Sequence, residues 1–463
     1  MKKLFALLTA VLLCALAFAS CGPVKTTADL MKKIDRKMDS LKSYQSDLSA
    51  SFSMEIEGMQ CMAGFKGQNI VVNEKKNDFY YYEMMEGKVE VKDGEKDTVL
   101  QTTNMKVMNA FHDGKMFVLT EQDTLKQNLY SSLTAKEYAD YLEKQSSAFG
   151  LDVESCVNDS FEKQEDGSWI LKYSGYTKKM IDEVAKMYGA DELFGDSIED
   201  MEITVRANAD FTVKDMEIQF VFDSDANGAK FRITSSYSKY NEAKPITDTL
   251  DVSKYSEVAD CRLLTDLEDM LEEIAESENA SFVLNLKQEL DRGSYDLIPK
   301  EYLETDTVSF GKNESGYFYN ANAVYKNSSE PSAKSESVDI VYENGKRTVK
   351  TSEGKETDRQ TTDEAKAFIE GLINTVKYSA MRVSDIEDLG GGVYKITCYN
   401  PDESLYMSIF SSLGKPGTVS QTITVTVTDG KLTKLESTLN AVKKHSGYGN
   451  ITFKLTTVNE FTY

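Results

Sequence analysis

The sequence predicts an α+β fold built twice: two tandem units, each an antiparallel sheet with one face covered by a few helices. Three observations carry this expectation. Helical stripes with apolar residues three and four apart recur in each half of the chain. Between and after them apolar and polar residues alternate with period two, as antiparallel strands with one buried and one wet face require. The same order of signals then occurs a second time, as expected of a repeated structural unit.

The chain opens on a secretion signal. Lys2 and Lys3 give a positive start, Leu4 to Phe18 form an apolar run, and Ala19-Ser20 place two small residues before Cys21. The run falls short of the roughly 20 residues a spanning helix needs, so residues 1–20 read as a removable signal peptide. The string Phe18-Ala19-Ser20-Cys21 resembles the bacterial lipoprotein signal, with phenylalanine where leucine is usual. That resemblance implies lipid attachment at Cys21, a lipid-anchored chain on the extracytoplasmic face of the cell envelope, and a short tether over residues 21–26. Such a tether reaches roughly 20 Å at about 3.5 Å per residue.

Composition sets the class. With 40% hydrophobic and 10% aromatic residues and 6 prolines, the 463-residue chain is globular and long for one core. Its net charge of −23 becomes −25 once Lys2 and Lys3 are removed, which repels nucleic acid and anionic headgroups. Any hold on a membrane must therefore come from the lipid.

The first unit is expected over residues 27–259. Thr27 opens a helix with Leu30, Ile34, Met38 and Leu41 on one stripe. Leu48, Ala50, Phe52, Met54 and Ile56 then alternate with polar residues as a strand. Further strands are expected at Cys61 to Phe65, Ile70 to Val72, Phe79 to Tyr82 and Val99 to Met108, with a hairpin turn at Asp113-Gly114 into Met116 to Leu119. Thr134 with Glu137 forms a capping box. A hairpin at Asp166-Gly167, a strand from Trp169 and a second helix through Met180, Val184, Met187 and Tyr188 follow, then three strands. Pro245 and the polar tract to Tyr255 look like the exit.

The second unit, residues 260–463, repeats this order. Thr265 with Glu268 and Thr361 with Glu364 are its capping boxes, Asn344-Gly345 its hairpin turn, and Pro401 starts a helix that stops at Gly414. Three strands end it, the first two joined at Asp429-Gly430. This architecture resembles the bacterial lipoprotein carriers LolA and LppX and their relatives, as does the string Ser40-Leu41-Lys42-Ser43-Tyr44 that ends the first helix. The resemblance implies that each sheet is curved into a half-barrel, with an apolar cavity between sheet and helices that takes an acyl chain or other apolar ligand. Phe52, Met54, Ile56, Phe79, Tyr81, Met105 and Met116 are the candidate lining, and methionines would make it adaptable. The alternative is a surface-exposed structural or protein-interaction module whose cores are filled and hold no ligand.

No constellation points to catalysis. The chain has two histidines, His112 and His445, neither in a cluster with zinc spacing, and Gly390 to Gly392 precedes a strand rather than a helix, so it cradles no phosphate. Asp223, Asp225 and Asn227 match the first half of a calcium loop, but Thr234 stands where the bidentate glutamate belongs, which favours a turn. No metal, no cofactor and no enzymatic activity are expected. Cys61, Cys156, Cys261 and Cys398 form no C-x-x-C pair and read as buried thiols.

Overall fold

The structure, a computed structural model, describes residues 24–463 except 57, 76–77, 94–97, 124, 148–155, 178–180, 182–197, 223–228, 296–299, 328–333, 377–381, 400, 402, 411–413 and 448. The side chain of Ile56 is also outside the description. The chain divides into two compact units, Met1–Tyr255 and Ser256–Tyr463.

In the first unit, helix α1 (Thr27–Asp39) starts where the Thr26 side chain accepts the Asp29 N–H at 3.0 Å. Its buried stripe is Leu30, Ile34 and Met38, and Leu41 falls beyond its end. Six strands follow as a meander: β1 (Ser43–Ile56), β2 (Met59–Lys75), β3 (Asp78–Asp93), β4 (Thr98–His112), β5 (Lys115–Gln122) and β6 (Leu125–Ser132). Helix α2 (Ala135–Ser147) comes next, capped reciprocally by Thr134 and Glu137. Then come β7 (Asn158–Lys163), β8 (Trp169–Ser174), β9 (Ile198–Ala207), β10 (Val213–Phe222) and β11 (Lys230–Ser238). In the sheet β11 returns to pair with β1, so the order runs β6-β5-β4-β3-β2-β1-β11-β10-β9-β8-β7, every pair antiparallel.

The second unit has the same order. A two-residue strand, β12 (Ser256–Glu257), precedes helix α3 (Leu263–Glu276), and six strands again form a meander. They are β13 (Asn279–Asp291), β14 (Lys300–Asn313), β15 (Gly316–Asn327), β16 (Glu336–Glu343), β17 (Lys346–Lys350) and β18 (Lys355–Arg359). After α4 (Thr362–Ile373) come β19 (Val383–Gly390), β20 (Val393–Cys398), the short α5 (Met407–Phe410), β21 (Thr418–Thr428), β22 (Lys431–His445) and β23 (Gly449–Thr462). The sheet order is β18-β17-β16-β15-β14-β13-β23-β22-β21-β20-β19, with β23 returning to β13.

The fold class differs from the expectation: these are two large curved antiparallel sheets with few helices, mostly β rather than α+β. The physical reason lies in strand length. Cys61 to Phe65 and Ile70 to Val72 are parts of one 17-residue strand, β2, whose apolar pattern is interrupted by Gly64, Lys66, Gly67 and Gln68. Ladder hydrogen bonds to β1 and β3 carry the backbone through that polar stretch. Helix α3 starts two residues before Thr265; its N-cap is Arg262, which makes no side-chain cap. Asp260 instead accepts the Arg262 N–H at 2.9 Å and its guanidinium at 2.7 Å. The helix expected after Pro401 is a single turn at Glu403–Leu405 followed by α5. The helix expected through Met180 to Tyr188 lies outside the described residues, as do Cys21 and the turn Asp223, Asp225 and Asn227.

Candidate functional site

The helix-covered face of the first sheet is laid out in rows across β1, β2, β3 and β4. Residues directly opposite on antiparallel strands share a face. The first row is aromatic except for Val71: Tyr44, Val71, Tyr81 and Phe111. Tyr138 of α2 stacks on Phe111 with ring centroids 4.7 Å apart, and its hydroxyl donates to Asn109 Oδ1 at 3.2 Å. Here the sheet and α2 fill the space between them.

The second row is polar: Ser46, Asn69, Glu83 and Asn109. Glu83 is 1% exposed. Its Oε2 accepts the Tyr81 hydroxyl at 2.6 Å, while Oε1 has no hydrogen-bond partner among the described residues. Burial pushes its carboxyl up to about 8, against the opposing pull of the Tyr81 hydrogen bond. At neutral pH it is a neutral acid inside the unit. Asp35 on α1 is 4% exposed and likewise raised to about 8, by burial and then by the charge of Asp39.

Leu48 and Met85, with Gly67 between them, form the third row, packed under Leu30, Ile34 and Met38 of α1. Further along, cover is incomplete. Phe52, Ala63 and Val89 form one row and Met54, Cys61 and Val91 another; all six are half-buried. An apolar surface spanning three strands thus stays partly open, continued on β4 by the half-buried Thr103 and the exposed Gln101. Phe52 meets Phe231 edge-on at 6.3 Å, and Phe231 stacks on Phe220 at 5.2 Å, which fixes one side of it.

The candidate lining residues therefore fall in different places. Phe52 and Met54 are on the open surface, and Met105 is buried beside it, opposite Gly87. Phe79, Tyr81 and Met116 are at the filled aromatic end, where Phe79 packs on Phe111 and Tyr138. Ile56 pairs with Met59 at the end of β1. Glu83 was not among the candidates. Its signal is a lone acid at an inward position of an alternating strand, between Tyr81 and Met85, which strand parity alone reveals.

The opposite face of this sheet carries two further features. Near β3 and β4 the segment 239–255, expected to be an exit, lies across it: Ala243 and Leu250 are buried against Ile70, Tyr82, Ala110 and Phe117. The Tyr80 hydroxyl donates to Ile246 O at 2.9 Å and accepts the Ile246 N–H at 2.8 Å. Beyond this strap is a groove of about 900 Å³. Its floor is crossed by the row Lys66, Glu86, Lys106 and Glu121, alternating in sign from strand to strand. Opposite charges on facing strands stabilise a sheet, so this floor is neutralised by its own neighbours.

Among the described residues no helix is long and apolar enough to cross a membrane. Cys61, Cys156, Cys261 and Cys398 are in no disulfide. No family model and no curated protein matches the chain. Among solved structures, LprF from Mycobacterium bovis is similar at 13% identity, covering 47% of this chain and 93% of its own, with a TM-score of 0.22. Rv2717c from M. tuberculosis is 5% identical over 47% of this chain and 99% of its own, with a TM-score of 0.14. The Pseudomonas aeruginosa OccK5 structure is 8% identical over 91% of this chain and 98% of its own, at 0.13. Scores this low carry no argument about this chain.

Proposed function

We propose that the protein is a membrane-anchored extracytoplasmic lipoprotein, held by lipid on Cys21, whose first unit takes up an apolar ligand, an acyl chain or lipid, on the open end of its helix-covered face. The reading assigns the chain no reaction and no cofactor. The observation that carries it is the half-buried surface of Phe52, Ala63 and Val89 with Met54, Cys61 and Val91. Contiguous exposed apolar patches are uncommon on soluble proteins and mark interaction sites. Burying such a surface contributes about 25 cal/mol per Å² of apolar area, a driving force without directional demands that suits flexible chains. The short tether expected at residues 21–26 would keep this unit beside the bilayer that supplies such a ligand. The competing reading, an interaction module with filled cores, draws on the packed aromatic end around Tyr81, Phe111 and Tyr138.

One titration separates them. The full chain is titrated with cis-parinaric acid, a fluorescent fatty acid, with Phe52→Lys, Val89→Lys and, as a control in the second unit, Gln288→Lys. Saturable binding weakened at least tenfold by either first-unit variant, and unchanged by the control, is the expected result. Absence of saturable binding, or binding indifferent to both first-unit variants, would overturn the ligand reading. Membrane fractionation of Cys21→Ala tests the anchor separately: the variant is expected in the soluble fraction.

A further inference from the structure

The strap that covers the outer face of the first sheet has a counterpart position in the second, and the chemistry there is inverted. Matching the units on the first pairs of their central ladders, Gln45 with Ser238 and Ser281 with Thr462, sets the strands in register. In the first unit the row beneath the strap is Ile70, Tyr82, Ala110 and Phe117. The matching row in the second unit is Ser309, Asn320, Val341 and Thr348. These residues are not buried by any cover; they line a groove of about 550 Å³. The next row brings Thr307, Asn322, Asp339 and Lys350 into it, and Lys355 faces Lys350 from β18.

Three features of this groove select a ligand. Hydroxyl and amide side chains spread over its floor offer many neutral donors and acceptors, set beside the exposed apolar side chain of Val341, against which the C–H face of a sugar ring can pack. Asn322 Nδ2 donates to Asp339 Oδ1 at 2.6 Å, which fixes the amide orientation and leaves the Asn322 oxygen as a set acceptor. Lys350 and Lys355 lie directly opposite each other, and like charges facing across strands destabilise a sheet. Asp339 faces Lys350 from the other side, so this corner holds two cations and one anion in a chain of net charge −23. The unit keeps a repulsive pair at the mouth of a polar groove whose counterpart is closed with aromatic residues. A polypeptide cover like the strap would gain less there, since Ser309, Asn320 and Thr348 leave Val341 as the one large apolar side chain of the row.

We propose that this groove of the second unit binds an acidic saccharide: hydroxyl groups on the Asn, Ser and Thr floor, and a carboxylate, phosphate or sulfate at Lys350 and Lys355. The site is independent of the apolar surface of the first unit. The test is binding of the full chain to an array of acidic and neutral oligosaccharides, with inorganic phosphate as competitor, for the native chain, Lys350→Gln/Lys355→Gln and Asn322→Ala. All three substituted positions lie on the wet face, and circular dichroism checks that each variant is folded. Binding to acidic members at least tenfold above neutral ones, reduced at least tenfold in the lysine variant and severalfold in Asn322→Ala, is expected. No binding above background, binding that both variants retain, or full displacement by millimolar phosphate would each overturn it, the last by reducing the site to a bare anion site.

Discussion

The two units share one strand order, one pattern of return pairing, β11 to β1 and β23 to β13, and an aromatic end, Tyr81 and Phe111 matching Tyr319 and Tyr342, yet differ where their faces are incompletely covered. The open apolar row Phe52, Ala63 and Val89 is matched by Gln288, Tyr302 and Asn327. The row under the strap changes from aromatic and aliphatic to hydroxyl and amide at three of its four positions, Val341 being the exception. Topology is fixed by ladder hydrogen bonds and by period-two alternation, which constrain only which face a residue occupies. The identity of residues on incompletely covered faces is free to diverge. Where such faces are open, the first unit presents apolar rows and the second more polar ones.

The sharpest difference in the backbone itself is at Gly67 and Gly87, whose second-unit counterparts are Asp306 and Tyr325. A Cβ on Gly87 would lie 2.1 Å from Gly64 O and 2.7 Å from Phe65 Cα, and one on Gly67 would lie 2.1 Å from Met84 O. Neither contact can be relieved by rotating a side chain, so β2 and β3 must separate. Gly87→Val is expected to destabilise the first unit by about 3 kcal/mol or more and to leave the second intact. The single tryptophan, Trp169 in β8, makes its fluorescence a reporter of the first unit alone. Hydrogen exchange read by mass spectrometry follows the second. Equal loss of protection in both units would break the comparison.

Buried acids give the next difference. Glu83 and Asp35 are raised to about 8 in the first unit, while in the second Asp306 is raised to about 6, by burial and then by Glu304. A carboxyl whose folded pKa lies above its unfolded value imposes no penalty below the unfolded value. Stability then falls as pH rises towards the folded value, because the unfolded chain releases a proton that the folded chain keeps. The first unit is therefore expected to lose stability from about pH 4 to 8, and the second to complete its smaller loss by pH 6. Glu83→Gln should leave the Trp169 melting curve unchanged at pH 4 and stabilise the first unit at pH 8 by on the order of 3 kcal/mol. A wild-type curve flat from pH 5 to 8 would show that Glu83 is not held neutral.

Much of this architecture is legible in the sequence where the signal is local. Asp113-Gly114 and Asn344-Gly345 have positive φ at both positions and close two-residue hairpins, as their residue types require. The capping boxes at Thr134 and Thr361 are formed. The three closing strands of each unit follow their alternation. What the sequence conceals depends on partners far along the chain. The continuity of β2 through Gly64 to Gln68 comes from its neighbours' hydrogen bonds. The strap has no period, because Ala243, Ile246 and Leu250 are spaced to meet Tyr80, Tyr82 and Phe117 rather than to build an element. The candidate lining mixed an open surface with a filled one, since alternation gives the face of a residue but not what covers it.

The smallest effects are expected where the units are alike. At Thr134 the hydroxyl accepts the Glu137 N–H at 3.2 Å while the Glu137 carboxylate accepts the Thr134 N–H at 2.7 Å, and Thr361 with Glu364 repeats the same distances. Both caps are exposed and both head a helix whose apolar stripe docks on the sheet, through Tyr138 in α2 and through Ala365 and Ile369 in α4. Replacing a threonine N-cap by alanine costs about 1 kcal/mol, so Thr134→Ala and Thr361→Ala should each destabilise their own unit by that amount. Thr134→Ala should lower the Trp169 midpoint, whereas Thr361→Ala should leave it in place and raise hydrogen exchange over β15 and α4. If Thr361→Ala moved the Trp169 midpoint as far as Thr134→Ala does, the units would unfold as one, and the contrasts at Gly87 and Glu83 would have to be read on the whole chain.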